Sequence, residues 1–148
     1  MPIVEHNRFV FVAPMFNASE TLPRMLHSIC GQSYQNWKLI LIDDVSSEKH
    51  VKSSMKICND FKRILDGKYE DKIVNVWNLE KKWEVANVLN GISLCKDDDI
   101  VCRIDADDWL TDSDALTIID VGYQQTGCEI LWTAHRWGFS DNNISGPM

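Results

Sequence analysis

The segment Ile100-Val-Cys-Arg-Ile-Asp-Ala-Asp-Asp108 places three acidic residues within four positions directly after an apolar run. The run Ile100–Ile104 is typical of a strand that is buried on both faces, as in the interior of a parallel sheet. Two earlier runs, Phe9–Ala13 and Lys38–Ile42, have the same character. Parallel strands bring their carboxyl ends to one edge of a sheet, where ligands bind. The sequence therefore predicts a site beside the acidic cluster.

The other segments alternate between helix-like and strand-like patterns. The first apolar run is closed by Pro14, and a helix is then expected with Ser19 as its cap, Pro23 in its first turn and Gly31 at its end. Five further elements are predicted: a long polar helix before Gly67, a strand at Ile73–Trp77, a helix at Lys82–Leu94, a helix at about Ser113–Tyr123 and a last strand at Glu129–Thr133. Strands that alternate with helices form a mainly parallel sheet sandwiched by helices. We expect one α/β domain over residues 1–148, with a loose tail at about 140–148.

The composition restricts the classes of partner. The chain has 148 residues, of which 45% are hydrophobic and 25% charged, and its formal net charge is −7. It contains no block of five or more basic residues, so we expect no nucleic acid partner. No apolar run is long enough for a transmembrane segment or a signal peptide, and the five cysteines show no C-x-x-C spacing. We therefore expect a cytoplasmic protein with reduced cysteines.

The acidic residues near the strand ends are candidates for a metal site. Asp105, Asp107 and Asp108 repel one another unless positive charge lies between them, and carboxylates are ligands of hard divalent cations. The pair Asp43-Asp44, after the second strand, could equally serve turn formation and helix capping. The run Asp97-Asp98-Asp99 precedes its strand, so we expect a solvated turn at the opposite edge of the sheet.

The segment Pro14-Met-Phe-Asn17 follows the first strand and reaches the same edge of the sheet as the acidic cluster. Phe16 has two interpretations, since its ring could pack in the core or stack on the flat base of a nucleotide. The glycine-rich loops G-x-x-x-x-G-K-[ST] and G-x-G-x-x-G, which cradle phosphates in many proteins, do not occur in the sequence. A phosphorylated ligand would therefore need other positive charge, such as a divalent cation.

Taken in order, these segments resemble the family 2 glycosyltransferases with the GT-A fold. The resemblance covers about residues 8–134, and the segment around Asp105 is similar to the family's DxD motif. Five segments carry the resemblance. They are Val12-Ala-Pro-Met-Phe-Asn17, the helix with Ser28, Ile29 and Gln32-Ser33, Leu41-Ile-Asp-Asp44, Asn90-Gly-Ile92 and Ile104-Asp-Ala-Asp-Asp-Trp-Leu110. Each piece is short, and the ordered set with its spacing identifies the family.

The resemblance implies how a donor nucleotide would be held. Asp44 would accept a hydrogen bond from the uracil N3–H of a UDP-sugar. Three residues after the first strand would line the nucleoside pocket, namely Pro14, Phe16 and Asn17. The implied partners are a UDP-sugar donor, such as UDP-glucose, and an unknown acceptor.

The resemblance also implies a metal, Mn²⁺ or Mg²⁺. Asp105 would face the ribose and the metal region, and Asp107 would coordinate the cation on the diphosphate. A cation at this position stabilises the charge that is released when the bond between the sugar and the diphosphate breaks. Lys81, Lys82 and Arg103 could add positive charge, although the sequence does not give the directions of their side chains.

The segment that would bind the acceptor is short in this sequence. In the family, the chain continues into an acceptor-binding half with a carboxylate general base and a Gln-x-x-Arg-Trp segment. Here about 40 residues follow Asp107, and Arg136-Trp137 matches that segment only faintly. From the predicted last strand onward the acidic residues are Glu129 and Asp141, and Asp141 is a weak candidate for the base. We therefore expect a short form that lacks most of the acceptor-binding half.

The function expected from these observations is metal-dependent transfer of a hexose from a UDP-sugar with inversion, accompanied by slow hydrolysis of the donor. One alternative is a non-catalytic UDP-sugar-binding module, or half of a larger assembly. A lesser alternative is a phosphatase of the haloacid dehalogenase type, although that motif has Thr or Val where this chain has Trp109. A homo-oligomer stays open, because Trp132 and Trp137 could stack on a sugar or pack at an interface.

Overall fold

The structure is a computed structural model that describes residues 4–136 and 144–145. Four strands form the main sheet: β1 Phe9–Met15, β2 Trp37–Asp43, β3 Ile73–Trp77 and β4 Ile100–Arg103. Four helices accompany them: α1 Leu22–Cys30, α2 Glu48–Gly67, α3 Trp83–Ile92 and α4 Ala115–Thr126. A separate antiparallel pair joins β5 His135–Arg136 to β6 Ile144–Ser145. Among the described helices, none combines the length and the apolar character needed to cross a bilayer.

All four strands of the main sheet are parallel, in the order β3-β2-β1-β4. Phe9 of β1 lies opposite Trp37 of β2 on one side and Ile100 of β4 on the other. The chain therefore moves outward from β1 to β3 and then returns to the other side of β1. This reversal of direction leaves a crevice at the carboxyl ends of β1 and β4, which is where ligands bind in open α/β sheets. The predicted α/β class with a parallel sheet is confirmed.

Helices cover both faces of the sheet, as predicted, but the two layers are unequal. Alternate residues of β1, such as Phe9 and Phe11, pack in the larger core with α1, α2 and α4. The intervening residues, such as Val12, join a smaller cluster under α3. Gly91 of α3 lies so close to this cluster that an added Cβ would be 2.3 Å from Val12 Cγ1. Close approach of the α3 backbone to the sheet thus depends on this glycine.

Two local expectations at the start of the chain are corrected. Strand β1 runs two residues beyond Ala13, through Pro14 to Met15. Beyond Val12 the strand pairs with β2 alone, so a residue without an N–H group costs little there. The cap of α1 is Thr21 and not Ser19. Ser19 is buried, and its hydroxyl lies 2.7 Å from Nδ1 of His50 in α2.

The predicted last strand at Glu129–Thr133 is wrong, because this segment forms no strand. Its apolar residues do not enter the sheet: Ile130 and Trp132 are 71% and 78% exposed. Leu131 instead packs beside Gly122 of α4. An apolar pattern alone does not distinguish a strand from a segment that lies against a helix, as this one does. Of the expected tail at 140–148, Ile144–Ser145 pairs with β5, and its other residues lie outside the described part of the chain.

Candidate functional site

An open cleft of about 510 Å³ lies at the carboxyl ends of β1, β2 and β4. The six residues to which the family resemblance assigned nucleotide or metal binding all line it: Pro14, Phe16, Asn17, Asp44, Asp105 and Asp107. Asp108, the third acidic residue of the cluster, is not among the lining residues. The fold therefore brings together three segments that are far apart in the sequence. Asp141, the weak candidate for a catalytic base, lies outside the described residues.

The loop after β1 forms one wall of the cleft. Asn17 has a positive φ of 51°, which asparagine tolerates well, and it joins this loop to the loop after β2. Its N–H donates to Ser46 Oγ at 2.8 Å, and its Oδ1 accepts from the Ser47 N–H at 2.9 Å. Phe16 is 54% exposed, so it is not a core residue. Its ring borders the cleft.

The carboxylate of Asp44 lies at the base of the cleft and is 5% exposed as a residue. Its Oδ1 accepts from the Lys82 N–H at 2.8 Å and from Asn78 Nδ2 at 3.0 Å. Its Oδ2 accepts from the Trp83 N–H at 2.9 Å, while Lys81 Nζ lies 3.5 Å away. Asp44 thus anchors the loop between β3 and α3. Its Oδ2 can accept one further hydrogen bond, and the ammonium of Lys81 faces that side of the oxygen.

This environment keeps Asp44 ionised. Burial by itself would raise the pKa of the carboxyl group, but hydrogen bonds donated to it outweigh burial and hold the pKa well below its usual range. The donors are the Lys82 N–H, the amides of Asn78 and Asn87, and the Trp83 N–H. The anchored backbone includes Trp83, the first residue of α3, whose φ of 64° is unusual for a bulky residue. A charged Asp44 therefore holds a strained backbone at the rim of the cleft.

The loop after β4 carries the acidic cluster. Asp105, Asp107 and Asp108 each offer a carboxylate oxygen, and these three oxygens lie within 4.8 Å of one another. Burial, together with the charges of Asp107 and Asp105, raises the pKa of Asp108. Oxygen atoms at this spacing, with mutual repulsion, fit a hard divalent cation such as Mg²⁺ or Mn²⁺. The donor set is therefore compatible with the metal that the sequence predicts.

Arg103 partly offsets this negative charge from the end of β4. Its Nη2 lies 3.0 Å from Asp105 Oδ1 and also contacts the carboxylate of Glu84 in α3. Of the three basic residues that were expected to add positive charge, Arg103 thus meets Asp105 and Lys81 lines the cleft. The backbone of Lys82 contributes through its hydrogen bond to Asp44.

Side chains of α1 and of the residues at its two ends hold the acidic loop in place. Thr21 Oγ1 donates to the carbonyl of Ala106 at 3.0 Å. Ser28 Oγ accepts from the Leu110 N–H at 3.1 Å. The buried Gln32 donates to the carbonyl of Asp112 at 2.6 Å and accepts from the N–H of Leu116 at 3.1 Å. Ser28 and Gln32, which belong to the family pattern, and Thr21, which the sequence did not single out, therefore fix the path of the chain from Asp105 to α4.

Several residues of the site were not found from the sequence. Asn78 directly follows β3, and the rule that selected Asp44 at the end of β2 would also have selected it. Asn87 is buried and its Oδ1 accepts from Asn78 Nδ2 at 2.7 Å. Trp83 and Glu84 also line the cleft. No sequence signal marks these two, because both lie on the first turn of α3 and only its docking on the sheet brings them to the site.

The parallel sheet, the crevice at its point of reversal and the carboxylate cluster define an α/β protein with a ligand cleft suited to a divalent cation. The model of the family described as "Glycosyl transferase family 2" matches residues 10–143, so this chain belongs to that family. The family resemblance inferred from the sequence is thereby confirmed.

A curated relative and two solved structures agree with this assignment. Glycosyltransferase GlyG of Streptococcus pneumoniae is 28% identical over 134 residues, which are 90% of this chain and 41% of GlyG. The structure of TarS 1–349 of S. aureus in complex with UDP-GlcNAc matches with a TM-score of 0.65 and 13% identity, over 81% of this chain and 32% of that one. The mannosyltransferase PcManGT of Pyrobaculum calidifontis, in complex with GDP-Man and Mn²⁺, matches with a TM-score of 0.63 and 17% identity, over 76% and 31%.

These matches confirm the predicted GT-A type of fold. This chain spans less than half the length of GlyG and about a third of the two structural neighbours. The similarity therefore concerns only part of each of those proteins.

Proposed function

We propose that this chain is the donor-binding part of a metal-dependent glycosyltransferase that transfers a hexose from a UDP-sugar to an acceptor that is still to be found. The observation that carries the proposal is the common cleft of Phe16, Asp44, Asp105 and Asp107. Such a cleft offers an exposed aromatic ring and an ionised acceptor for a base at one end, and a carboxylate cluster for a metal at the other. TarS, which binds UDP-GlcNAc, and PcManGT, which binds GDP-Man and Mn²⁺, have the same fold and lend support.

In the proposed site, Phe16 stacks on the base, Asp44 accepts its N3–H, and Pro14 and Asn17 shape the pocket. Asp105 and Asp107 hold Mn²⁺ or Mg²⁺, and the bound cation supplies Lewis-acid stabilisation of the leaving diphosphate. Arg103 keeps the carboxylate of Asp105 oriented in the protein without ligand, since the two are 3.0 Å apart.

Transfer with inversion also needs a base within hydrogen-bond reach of the acceptor hydroxyl. Asp141 remains the candidate that the sequence offers. Without a shielded acceptor, water takes the place of the hydroxyl, and the site hydrolyses the donor slowly.

The proposal is tested by release of the nucleoside diphosphate, without an added acceptor, from UDP-glucose, UDP-galactose, UDP-GlcNAc and GDP-mannose. Each donor is assayed with Mn²⁺, with Mg²⁺ and with EDTA, and binding of Mn²⁺ with UDP is followed in parallel by calorimetry. We expect metal-dependent release from a UDP-sugar. The variant Asp107→Asn should lower release by about 100-fold or more and weaken Mn²⁺ binding, because a charged ligand is lost.

The matched control is Asp98→Asn, which removes the same charge from an exposed turn outside the cleft. It should leave release and metal binding unchanged. Binding of UDP and Mn²⁺ without release from any donor would favour the non-catalytic module or half of an assembly. Absence of both binding and release would overturn the proposal.

A further inference from the structure

The ammonium group of Lys81 occupies the space between Phe16 and Asp44. Lys81 Nζ lies 3.4 Å from the centroid of the Phe16 ring and 3.5 Å from Asp44 Oδ2. It also donates to the backbone carbonyl of Asp44 at 3.3 Å, and the ring centroid of Trp83 is 5.3 Å away. The side chain of Lys81 is 32% exposed. It is therefore held by two aromatic rings and by both a carboxylate and a carbonyl.

A base bound as proposed needs this same space. A base that stacks on the side of the Phe16 ring that faces Asp44 would overlap the space of the ammonium. Its N–H would also have to donate to Asp44 Oδ2, the oxygen that Lys81 Nζ now faces. The other positions on the Asp44 carboxylate already receive donors from the loop between β3 and α3. Base and ammonium therefore exclude each other between Phe16 and Asp44.

The backbone of this loop does not have to move for the exchange. The N–H groups of Lys82 and Trp83 are both fixed to Asp44, so the chain on the carboxyl side of Lys81 is anchored. Only the four-carbon side chain of Lys81 must swing away, and rotamer changes of this kind are fast.

The charge distribution of the cleft indicates where the ammonium goes. Among the lining residues that the structure describes, four are acidic, Asp44, Glu84, Asp105 and Asp107, and Lys81 is the basic one. A diphosphate in such a cleft needs positive charge beyond that of one divalent cation, and Lys81 is the lining residue that carries it. A phosphate oxygen is also a stronger partner for an ammonium than an aromatic face.

From this geometry we infer that Lys81 is a specificity-determining residue of the donor site: it occupies the base position in the protein without ligand and contacts the diphosphate once the base has displaced it. The inference rests on the proposed function. A nucleoside that binds alone loses the free energy of the contacts that Lys81 makes with Phe16 and Asp44. A nucleoside diphosphate regains free energy, because its phosphate groups provide Lys81 with a new contact. The cleft thereby favours the phosphorylated donor over free nucleosides.

The test compares uridine with UDP, both in the presence of Mn²⁺, on the wild-type chain and on Lys81→Ala. Uridine binding is measured by ligand-observed NMR titration and UDP binding by calorimetry. We expect Lys81→Ala to bind uridine about fivefold more tightly, because the cation–π and ionic contacts no longer compete. We expect it to bind UDP about threefold less tightly, because the lost contact with the diphosphate outweighs the freed base position.

Lys81→Gln, which keeps the reach of the side chain without its charge, should also weaken UDP binding. The control Lys56→Ala removes the same charge from an exposed pair with Asp60 on α2 and should change neither affinity. Uridine binding that weakens or stays the same in Lys81→Ala, while the wild type binds UDP, would overturn this inference and leave the proposed function standing. A wild-type chain that binds no UDP would overturn both.

Discussion

Asp43 and Asp44 are adjacent in the sequence but have different environments. The Asp43 carboxylate accepts from the N–H of Ser46 at 3.0 Å and from its hydroxyl at 2.5 Å, so it fixes the turn after β2. The Asp44 carboxylate instead collects donors from the loop before α3. The expectation of turn chemistry is thus met by Asp43, while Asp44 faces the cleft. The dipeptide alone could not assign these two environments, since both depend on the direction of each side chain.

At the other edge of the sheet, Asp99 corrects the expectation of a solvated turn at 97–99. Asp97 and Asp98 are exposed as expected, but the side chain of Asp99 is 1% exposed. Both of its oxygens accept from Arg8, from Nε and Nη2, each at 2.6 Å. This pair lowers the pKa of Asp99. Only Asp97 and Asp98 of this acidic run are solvated, because the carboxylate of Asp99 pairs with Arg8, 91 residues earlier in the chain.

We expect Asp99→Asn to lower the free energy of unfolding by about 2 kcal/mol at pH 7, since a bidentate, charge-assisted pair is lost. Because the pKa of Asp99 is lowered in the folded protein, its contribution is complete above the ordinary aspartate value near 3.9. It is lost as the pH falls below that value toward the folded pKa. Urea unfolding at pH 7 and at pH 3 measures the difference, which should shrink at pH 3.

The neighbouring Asp98→Asn is the matched control, because it removes the same charge from an exposed carboxylate. It should leave the unfolding free energy unchanged within about 0.5 kcal/mol. Equal effects of the two variants at pH 7 would contradict the importance of the pair with Arg8.

At the scale of elements, the position of α3 on the sheet determines the rim of the cleft. Trp83 and Glu84 begin this helix, and the loop before it carries Lys81. The helix can lie this close to β1 and β2 because Gly91 presents no side chain to Val12 and Ile42. The docking of α3 is therefore linked to the shape of the site through one small residue.

We expect Gly91→Ala to destabilise the protein by about 2 kcal/mol, although alanine favours helix more than glycine does. The added Cβ would lie 2.3 Å from Val12 Cγ1 and 3.3 Å from Ile42 Cδ1, so the helix has to shift. Equilibrium unfolding in urea is the measurement. Asn90→Ala, on the exposed side of the same helix, should not destabilise the protein. A Gly91→Ala protein as stable as the wild type would show that α3 has more space against the sheet than the distance to Val12 indicates.

At the scale of the whole molecule, the larger core lies on the side of α1, α2 and α4. It shields two of the five cysteines from solvent. Cys30 and Cys58 are buried in that core, whereas Cys128 is half-buried after α4. Burial raises the pKa of Cys30 to about 12 and also raises that of Cys58. Thiols in this state react slowly, since the thiolate is the reactive form.

We expect Cys30 and Cys58 to be labelled by a thiol reagent at pH 8 only when the protein unfolds as a whole. Labelling followed by mass spectrometry of peptides should show Cys128 modified first and Cys30 and Cys58 last. Urea below the unfolding midpoint should accelerate the last two in proportion to the unfolded fraction. Rapid labelling of either in native buffer would contradict a single cooperative core around them.

Much of the architecture was predictable because it depends on local patterns. The apolar runs identified β1, β2, β3 and β4, and the acidic residues that follow two of them marked the edge where the cleft lies. Helix bounds were predicted to within a few residues, since apolar periodicity and glycine positions are local signals. The segment 129–133 was misassigned because an apolar run does not reveal whether its partner is a strand or a helix.

The sequence by itself determined the α/β class, the family and the six residues that meet in the cleft. Each of these depends on strand ends or on short motifs, which can be recognised from residues that are neighbours in the chain. Tertiary structure alone decided what surrounds them. The donors to Asp44 come from 34 to 39 residues away in the sequence. The hydrogen bond between Gln32 and Leu116 joins residues that are 84 positions apart. Whether Lys81 points to solvent or between Phe16 and Asp44 likewise depends on how α3 docks. Such contacts follow from side-chain direction and packing between distant segments, which no local pattern in the chain encodes.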